Sequence, residues 1–283
     1  GHKLPGGVGT PGVLILKKRL LKLDVAPTRP GGGTVFFVTS ADHRYLSQRE
    51  DREEGGSRDL VGITRLALAL QVKRRVGTDA IARRDERLVT SLVASIAEHP
   101  RVLVLGPGVT RTPERLPGEL VSDKLSSTAS ASGTVGRLPV VSFLILAPAT
   151  AVDGRVRFLH YGFVCSLLND LFGIQTRGGC VCSGPFAHRL LGIRASDSAE
   201  IERLMIEDTE EVLRPGFTRV SVNYLTSDDE AAYISEAVAL VATHGWRMLT
   251  QYQYIHKTGE WKHASRVRAF PERRWLAWSM WPL

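Results

Sequence analysis

Cysteine is scarce in this chain: Cys165, Cys180 and Cys182 are the only three among 283 residues. Three thiols cannot build a disulfide scaffold, and their number fits a reducing compartment, either the cytoplasm or an organellar matrix. No run of about 18 apolar residues occurs, so no membrane-spanning helix is expected. Lysine and arginine total 37 against 29 aspartate and glutamate, a net charge of +8. These basic residues are scattered and do not interleave with aromatics, which argues against nucleic acid and for small anionic ligands. The Cys-Val-Cys at 180–182 lacks a second Cys/His pair at ligand spacing, so no metal is expected. No internal repeat is visible, and there is no initiating methionine. The expectation is a C-terminal portion of a longer protein, with any targeting segment upstream.

What is present reads as alternating strands and helices. Glycine/proline-rich residues 1–12 lead into Val13-Leu14-Ile15-Leu16, expected as a buried strand. A second strand is expected at Val35–Thr39. Ser57 is placed to cap a helix over 58–76, with Leu60, Ile63, Leu66, Ala67 and Leu70 on its apolar face and Gly77 as its stop. Thr78 caps a helix with the stripe Ile81, Leu88, Leu92 and Ile96. Strands follow near 101, 140, 174 and 217 in a mixed sheet, with a helix through Phe158, Tyr161, Cys165, Leu168 and Phe172 that Gly173 ends. Cys165 falls on the core face of that helix. Residues 107–137 read as an insertion without periodicity, and 192–214 as a second, charged one. Ser227 and Glu230 form a capping box for a helix to His244, with Gly245 as its stop. The expected division is 1–77, 78–245 and a tryptophan-rich tail, 246–283, for which packing on a surface groove is the simplest reading.

Chemistry concentrates in two places. Arg177–Pro185 reads RGGCVCSGP, a thiol pair after two glycines whose backbone is too free for a regular element. Lys3 stands beside a glycine-rich turn and ahead of an apolar run, where a desolvated amine could form a Schiff base.

Four segments in order carry a resemblance. GHKLPGGVGTPGVL at 1–14, EEGGS at 53–57, RGGCVCSGP at 177–185 and TRVSVNY at 218–224 resemble the lysine, E-A-G-T, R-x-G-H-H-C-A-x-P and R-A-S-x-x-x-Y segments of class V aminotransferases. This pyridoxal-phosphate family includes the cysteine desulfurases. The resemblance implies an α/β chain of aspartate-aminotransferase-like fold, comprising the end of a large cofactor domain and a small C-terminal α/β domain. It implies that Lys3 carries pyridoxal 5'-phosphate as a Schiff base and shuttles protons, that His2 and Ser57 help hold the cofactor, and that Arg219 grips an amino-acid carboxylate, with Arg177 either sharing the anion or bracing the loop. Cys182 takes the position of the family's catalytic cysteine, whose thiolate accepts sulfur as a persulfide while alanine leaves. A homodimer and a sulfur-acceptor protein are implied partners. Cys180-Val181 replaces the family's two histidines, and Cys180 could be a resolving thiol. The alternatives are a family member with no thiol step, a non-catalytic relative, and a Cys-Val-Cys redox or metal module. On the same resemblance the cofactor's ring-stacking and acidic partners lie upstream, and this stretch alone is expected to be inactive.

Overall fold

The computed structural model describes residues 1–106, 138–148, 156–180, 182, 184–207, 211–256 and 258–267. The chain forms two compact units, Gly1–Ala80 and Ile81–Leu283.

The first unit is loop-rich. Its strands β1 (Val35–Val38) and β2 (His43–Tyr45) pair antiparallel, with an irregularity between Val35 and Phe37. A short helix α1 (Arg49–Glu53) follows, then α2 (Leu60–Val76). Arg52 is buried in α1 and donates to the Leu23 and Val25 carbonyls, tying a long glycine/proline loop to the helix. A guanidinium suits this task because its fork can satisfy several carbonyls at once.

Two expectations fail here. Val13–Leu16 is not a strand: Ile15 is 89% exposed, and among the described residues no strand pairs with it. An apolar run becomes a buried strand only where a neighbour supplies the hydrogen-bond ladder and a layer covers it. Second, α2 is capped by Asp59, whose carboxylate accepts from the Gly62 amide at 2.8 Å. Ser57 lies two positions earlier in an exposed loop. Aspartate caps as well as serine and also complements the helix dipole. The buried residues of α2 are Gly62, Leu66 and Ala69, while Leu60 and Leu70 lie exposed. Gly77, at φ 87°, does end the helix.

The second unit holds the core. Helix α3 (Thr78–Glu98) buries Ile81, Leu88, Val89, Leu92 and Ile96 along one stripe, as the periodicity requires. Strands β3 (Val102–Leu105), β4 (Val140–Ile145) and β5 (Thr218–Ser221) form a sheet in the order β3-β4-β5. All its pairings are antiparallel, not mixed. The segment near 174 contributes only an isolated bridge, Arg177 to Arg219.

All four residues of β3 are buried because both sheet faces are covered. On one face Val102, Val104, Val141, Phe143, Ile145 and Val220 meet α3, α4 (Tyr161–Phe172) and α7 (Asp228–His244). On the other, Leu103, Leu105, Leu144 and Phe217 meet Ala187 and Leu190 of α5 (Gly184–Leu190).

Helix α4 ends at Gly173 in the left-handed conformation. Its core face is Phe163, Val164, Leu167 and Leu168, so Cys165 lies at the margin, partly exposed in the wall of a groove of about 610 Å³. The charged stretch after α5 contains α6 (Ala195–Glu207), with no buried residue. The Ser227–Glu230 capping box of α7 is formed in both directions.

Gly245 stops α7 as expected, at φ −56°, ψ −36° rather than in the left-handed region. Its lack of a side chain serves packing: a Cβ there would stand 2.9 Å from Leu167 Cδ1. The hairpin β6 (Tyr252–Ile255) with β7 (Glu260–His263) packs Trp261 on Phe163, and α8 (Ala264–Val267) follows. The segments 107–137 and WLAWSMW at 275–281 lie outside the described residues.

Candidate functional site

The second unit brings together one set of the expected site residues. Arg177 and Arg219 exchange both backbone hydrogen bonds, at 3.1 and 2.7 Å, which makes them directly opposed antiparallel partners. Opposed residues in such a pair project to the same face. Ser142 opposes Arg219 on its other side, and Leu105 opposes Ser142. By strand alternation, this row shares the face on which Leu103, Leu144 and Phe217 form their cluster.

Two arginine side chains therefore leave the backbone on the same face at a sheet edge. Like charges so placed repel, and an anion between them removes the penalty. Arg219 Nε is buried and has no hydrogen-bond partner, a donor left open on that row.

The thiol loop leaves this edge. Its next tie is Phe217 N–H to the Gly179 carbonyl at 3.4 Å, one residue before Cys180. The two glycines that suggested flexibility instead permit contact. A Cβ on Gly178 would lie 2.6 Å from Tyr161 Cδ2, and one on Gly216 would collide with the Gly179 backbone. Gly178 and Gly179 are thus packed against the Tyr161 ring.

Cys180 is half-buried and packs against the apolar cluster beneath α5. Cys182 is exposed, at φ 64°. Among the described residues it is the one non-glycine in the left-handed region. Such a conformation costs on the order of 1 kcal/mol and tends to occur where function requires a particular presentation.

Sequence reading missed the groups around this loop. Burial pushes the Tyr161 phenol up to about 12, the neighbouring Arg214 opposing weakly, so it stays protonated. Arg214 is held by Glu211 through two bonds, 2.7 and 2.6 Å. That pairing chiefly raises its pKa, with smaller contributions from Tyr161 and Cys180. The Tyr161 signal was legible only as helical periodicity, and Arg214 stood within what read as an insertion. The Gly-Gly pair was the available clue, because adjacent glycines mark close approach as often as mobility.

Cys165 differs from the loop thiols. Burial pushes its thiol up, partly offset by Thr176 and Thr218, so it remains protonated and unreactive. Among the described residues no three His, Cys, Asp or Glu side chains gather as metal ligands. No described helix is long and apolar enough to cross a membrane.

The first unit holds the other expected residues. His2 and Lys3 lie exposed on a turn closed by Leu4 N–H to the Gly1 carbonyl, 2.9 Å. Close approach fastens this loop to α2: a Cβ on Gly62 would stand 2.5 Å from the Gly9 carbonyl, and Arg65 donates to the Gly6 carbonyl at 2.6 Å. Ser57 follows Gly55 and Gly56, the latter at φ 95°.

Comparison with known proteins bears on family and fold. Residues 1–116 match the aminotransferase class-V family model. A cysteine desulfurase of Dickeya dadantii is 27% identical over 220 residues, covering 78% of this chain and 43% of that protein. One from an Enterobacter species is 31% identical over 107 residues, covering 38% of this chain and 26% of that protein. The apo structure of the Thermococcus onnurineus cysteine desulfurase superposes with a TM-score of 0.50 at 22% identity, covering 77% of this chain and 39% of that one.

The first 116 residues are thus similar to the aminotransferase class-V family, and the fold is the α/β, aspartate-aminotransferase-like type. Over 78% of its length the chain is similar to a cysteine desulfurase. It spans less than half the length of these relatives.

Proposed function

We propose that this chain belongs to a pyridoxal 5'-phosphate-dependent enzyme acting on an amino acid, with cysteine as substrate, Cys182 as sulfur acceptor and alanine as product. The observation that carries the reading is Cys182: an exposed thiol at a strained φ of 64°, on a loop tied beside two same-face arginines. In this reading Arg219, assisted by Arg177, takes the substrate carboxylate, which suits the open Nε donor. Cys182, as thiolate, takes the substrate sulfur and becomes a persulfide.

The donor set of the first unit fits the cofactor. Lys3 offers a primary amine on an exposed turn, open to an aldehyde, and His2 stands beside it. Ser57 offers a hydroxyl in a glycine-flanked loop for the phosphate. Phosphate binding would rest on that hydroxyl and the loop amides, because the Gly62 amide of α2 is already taken by Asp59. When bound, the cofactor supplies an electron sink that weakens bonds to the substrate α-carbon. Lys3 then holds and moves the proton at that carbon.

The first unit belongs in this reading to the end of the large cofactor domain, and the second to the small domain. A homodimer is part of the same proposal, supported by the apolar side chains that the first unit leaves exposed, Phe36 and Phe37 among them. A sulfur-acceptor protein would be the further partner.

The test is alanine and sulfide release from cysteine by the cofactor-loaded protein in the presence of a thiol reductant. Cys182→Ser is expected to abolish both, and Lys3→Ala to remove the visible cofactor band. Full turnover by Cys182→Ser would reject the thiol step in favour of a family member that needs none.

A further inference from the structure

The loop carries one thiol more than the proposed reaction uses. Cys180 is anchored against Leu103, Leu105, Leu144, Ala187, Leu190 and Phe217, while Cys182 is presented to solvent. Both are free thiols in this structure. The chain is tied immediately before Cys180 by the Phe217–Gly179 hydrogen bond, and α5 begins at Gly184, two residues after Cys182. One thiol is held and the other displayed.

Steps of about 3.8 Å between α-carbons bring positions two apart within the roughly 4.4–6.8 Å that a disulfide spans, provided the chain is not fully extended. Rotation about φ sets where Cβ lies relative to the preceding peptide. The 64° at Cys182 is therefore a choice of direction relative to the segment that leads back to Cys180.

We propose that Cys180 is a resolving thiol, which converts a persulfide on Cys182 into a Cys180–Cys182 disulfide and releases the extra sulfur as sulfide. This inference rests on the reading of Cys182 as sulfur acceptor and extends it to the fate of the sulfur. The Cys180 thiolate attacks Sγ of Cys182, the inner sulfur of the persulfide. A bond forms between the two cysteine sulfurs. The bond from Cys182 Sγ to the terminal sulfur breaks, and its electron pair leaves as hydrosulfide.

The two cysteine sulfurs are oxidised together by two electrons, and the terminal sulfane sulfur is reduced by two. The proton lost from Cys180 passes to solvent or to the departing hydrosulfide. The oxidising equivalent is the sulfane sulfur itself, delivered by the substrate, so no further oxidant enters. The disulfide then blocks Cys182 until a thiol or dithiol reductant reopens it, which couples turnover to reductant supply.

The test loads sulfur without catalysis. The chain, free of cofactor and cysteine, is exposed to inorganic polysulfide, alkylated and cut with trypsin, which isolates both thiols on the peptide spanning 178–189. The expected peptide is two hydrogens lighter than the dithiol, with one sulfide released per chain. In Cys180→Ser the peptide keeps one additional sulfur on Cys182 and forms no disulfide. Cys180→Ala, which retains an apolar side chain against the cluster, is expected to match Cys180→Ser.

Retention of the additional sulfur on Cys182 in the unsubstituted chain overturns the proposal. Appearance of that sulfur on Cys180 also overturns it, because that outcome is transfer without resolution. Failure of polysulfide to load either thiol overturns it as well. A disulfide with polysulfide, combined with no alanine from cysteine in the loaded protein, would reject the proposed reaction while leaving the resolving chemistry intact.

Discussion

The two compact units use apolar residues in opposite ways. In Ile81–Leu283, Phe143, Phe163 and Leu167 are fully buried between a three-stranded sheet and the helices over it. In Gly1–Ala80, Phe36 is 73% and Phe37 63% exposed, and Val13–Ile15 lie in the open. The second unit contains both layers of its own core. The first presents strand-like and helix-like apolar faces that nothing among the described residues covers. An exposed contiguous apolar surface marks an interaction surface. The first unit is accordingly the part of this protein whose stability is expected to depend on what it associates with, and the second the part that stands on its own packing.

The largest test of that contrast is a pair of truncations. Phe143→Ala is expected to cost about 3–5 kcal/mol in urea unfolding followed by tryptophan fluorescence, through lost burial and a residual cavity. Phe37→Ala in the isolated chain is expected to change stability by no more than about 0.5 kcal/mol. Equal losses would break the comparison.

A smaller effect sharpens it at the helix starts. Ser227→Ala removes one half of a closed capping box and is expected to lower unfolding free energy by about 1 kcal/mol. In the first unit the sensitive position is Asp59, and Ser57→Ala should leave helix content and stability unchanged while weakening pyridoxal-phosphate binding. Destabilisation by Ser57→Ala comparable to that of Asp59→Ala, read by circular dichroism during unfolding, would return the cap to Ser57.

The smallest effect is a pH dependence specific to the second unit. His160 caps α4: its Nδ1 accepts from the Gly162 amide at 3.1 Å and from Trp261 Nε1 at 2.9 Å. Burial lowers its pKa below 6.5, with the Val212 carbonyl opposing. The unfolded chain therefore binds the proton more readily than the folded one. The stability contributed by the neutral ring is fully present above 6.5 and is lost as pH falls from there towards the folded value. His160→Asn should flatten the acid side of a melting-temperature profile between pH 7 and about pH 5, where an ordinary imidazole titrates. An unchanged slope would remove His160 as its source.

Legibility followed the range of the interaction that decides each feature. The α3 stripe, the Gly173 and Gly77 stops and the Ser227–Glu230 box are written within a few residues of sequence, and each formed where its pattern lay. The buried strand at Val13–Leu16 and the bridge near 174 depended on partners far along the chain, and there the reading went astray. The Gly178-Gly179 pair was misread for the same reason, because it answers to Tyr161, which no local pattern connects to it.

By itself, then, the sequence determined the order of the motifs and the chemical inventory, an amine at Lys3 and thiols at Cys180 and Cys182, because residue identity and short spacing suffice for both. Only the tertiary structure decided that Arg177 and Arg219 share one face, that the glycine pair packs against Tyr161, and that one loop thiol is held while the other is displayed. Strand register and close backbone approach are set by contacts between distant segments, and those exist only once the chain has packed.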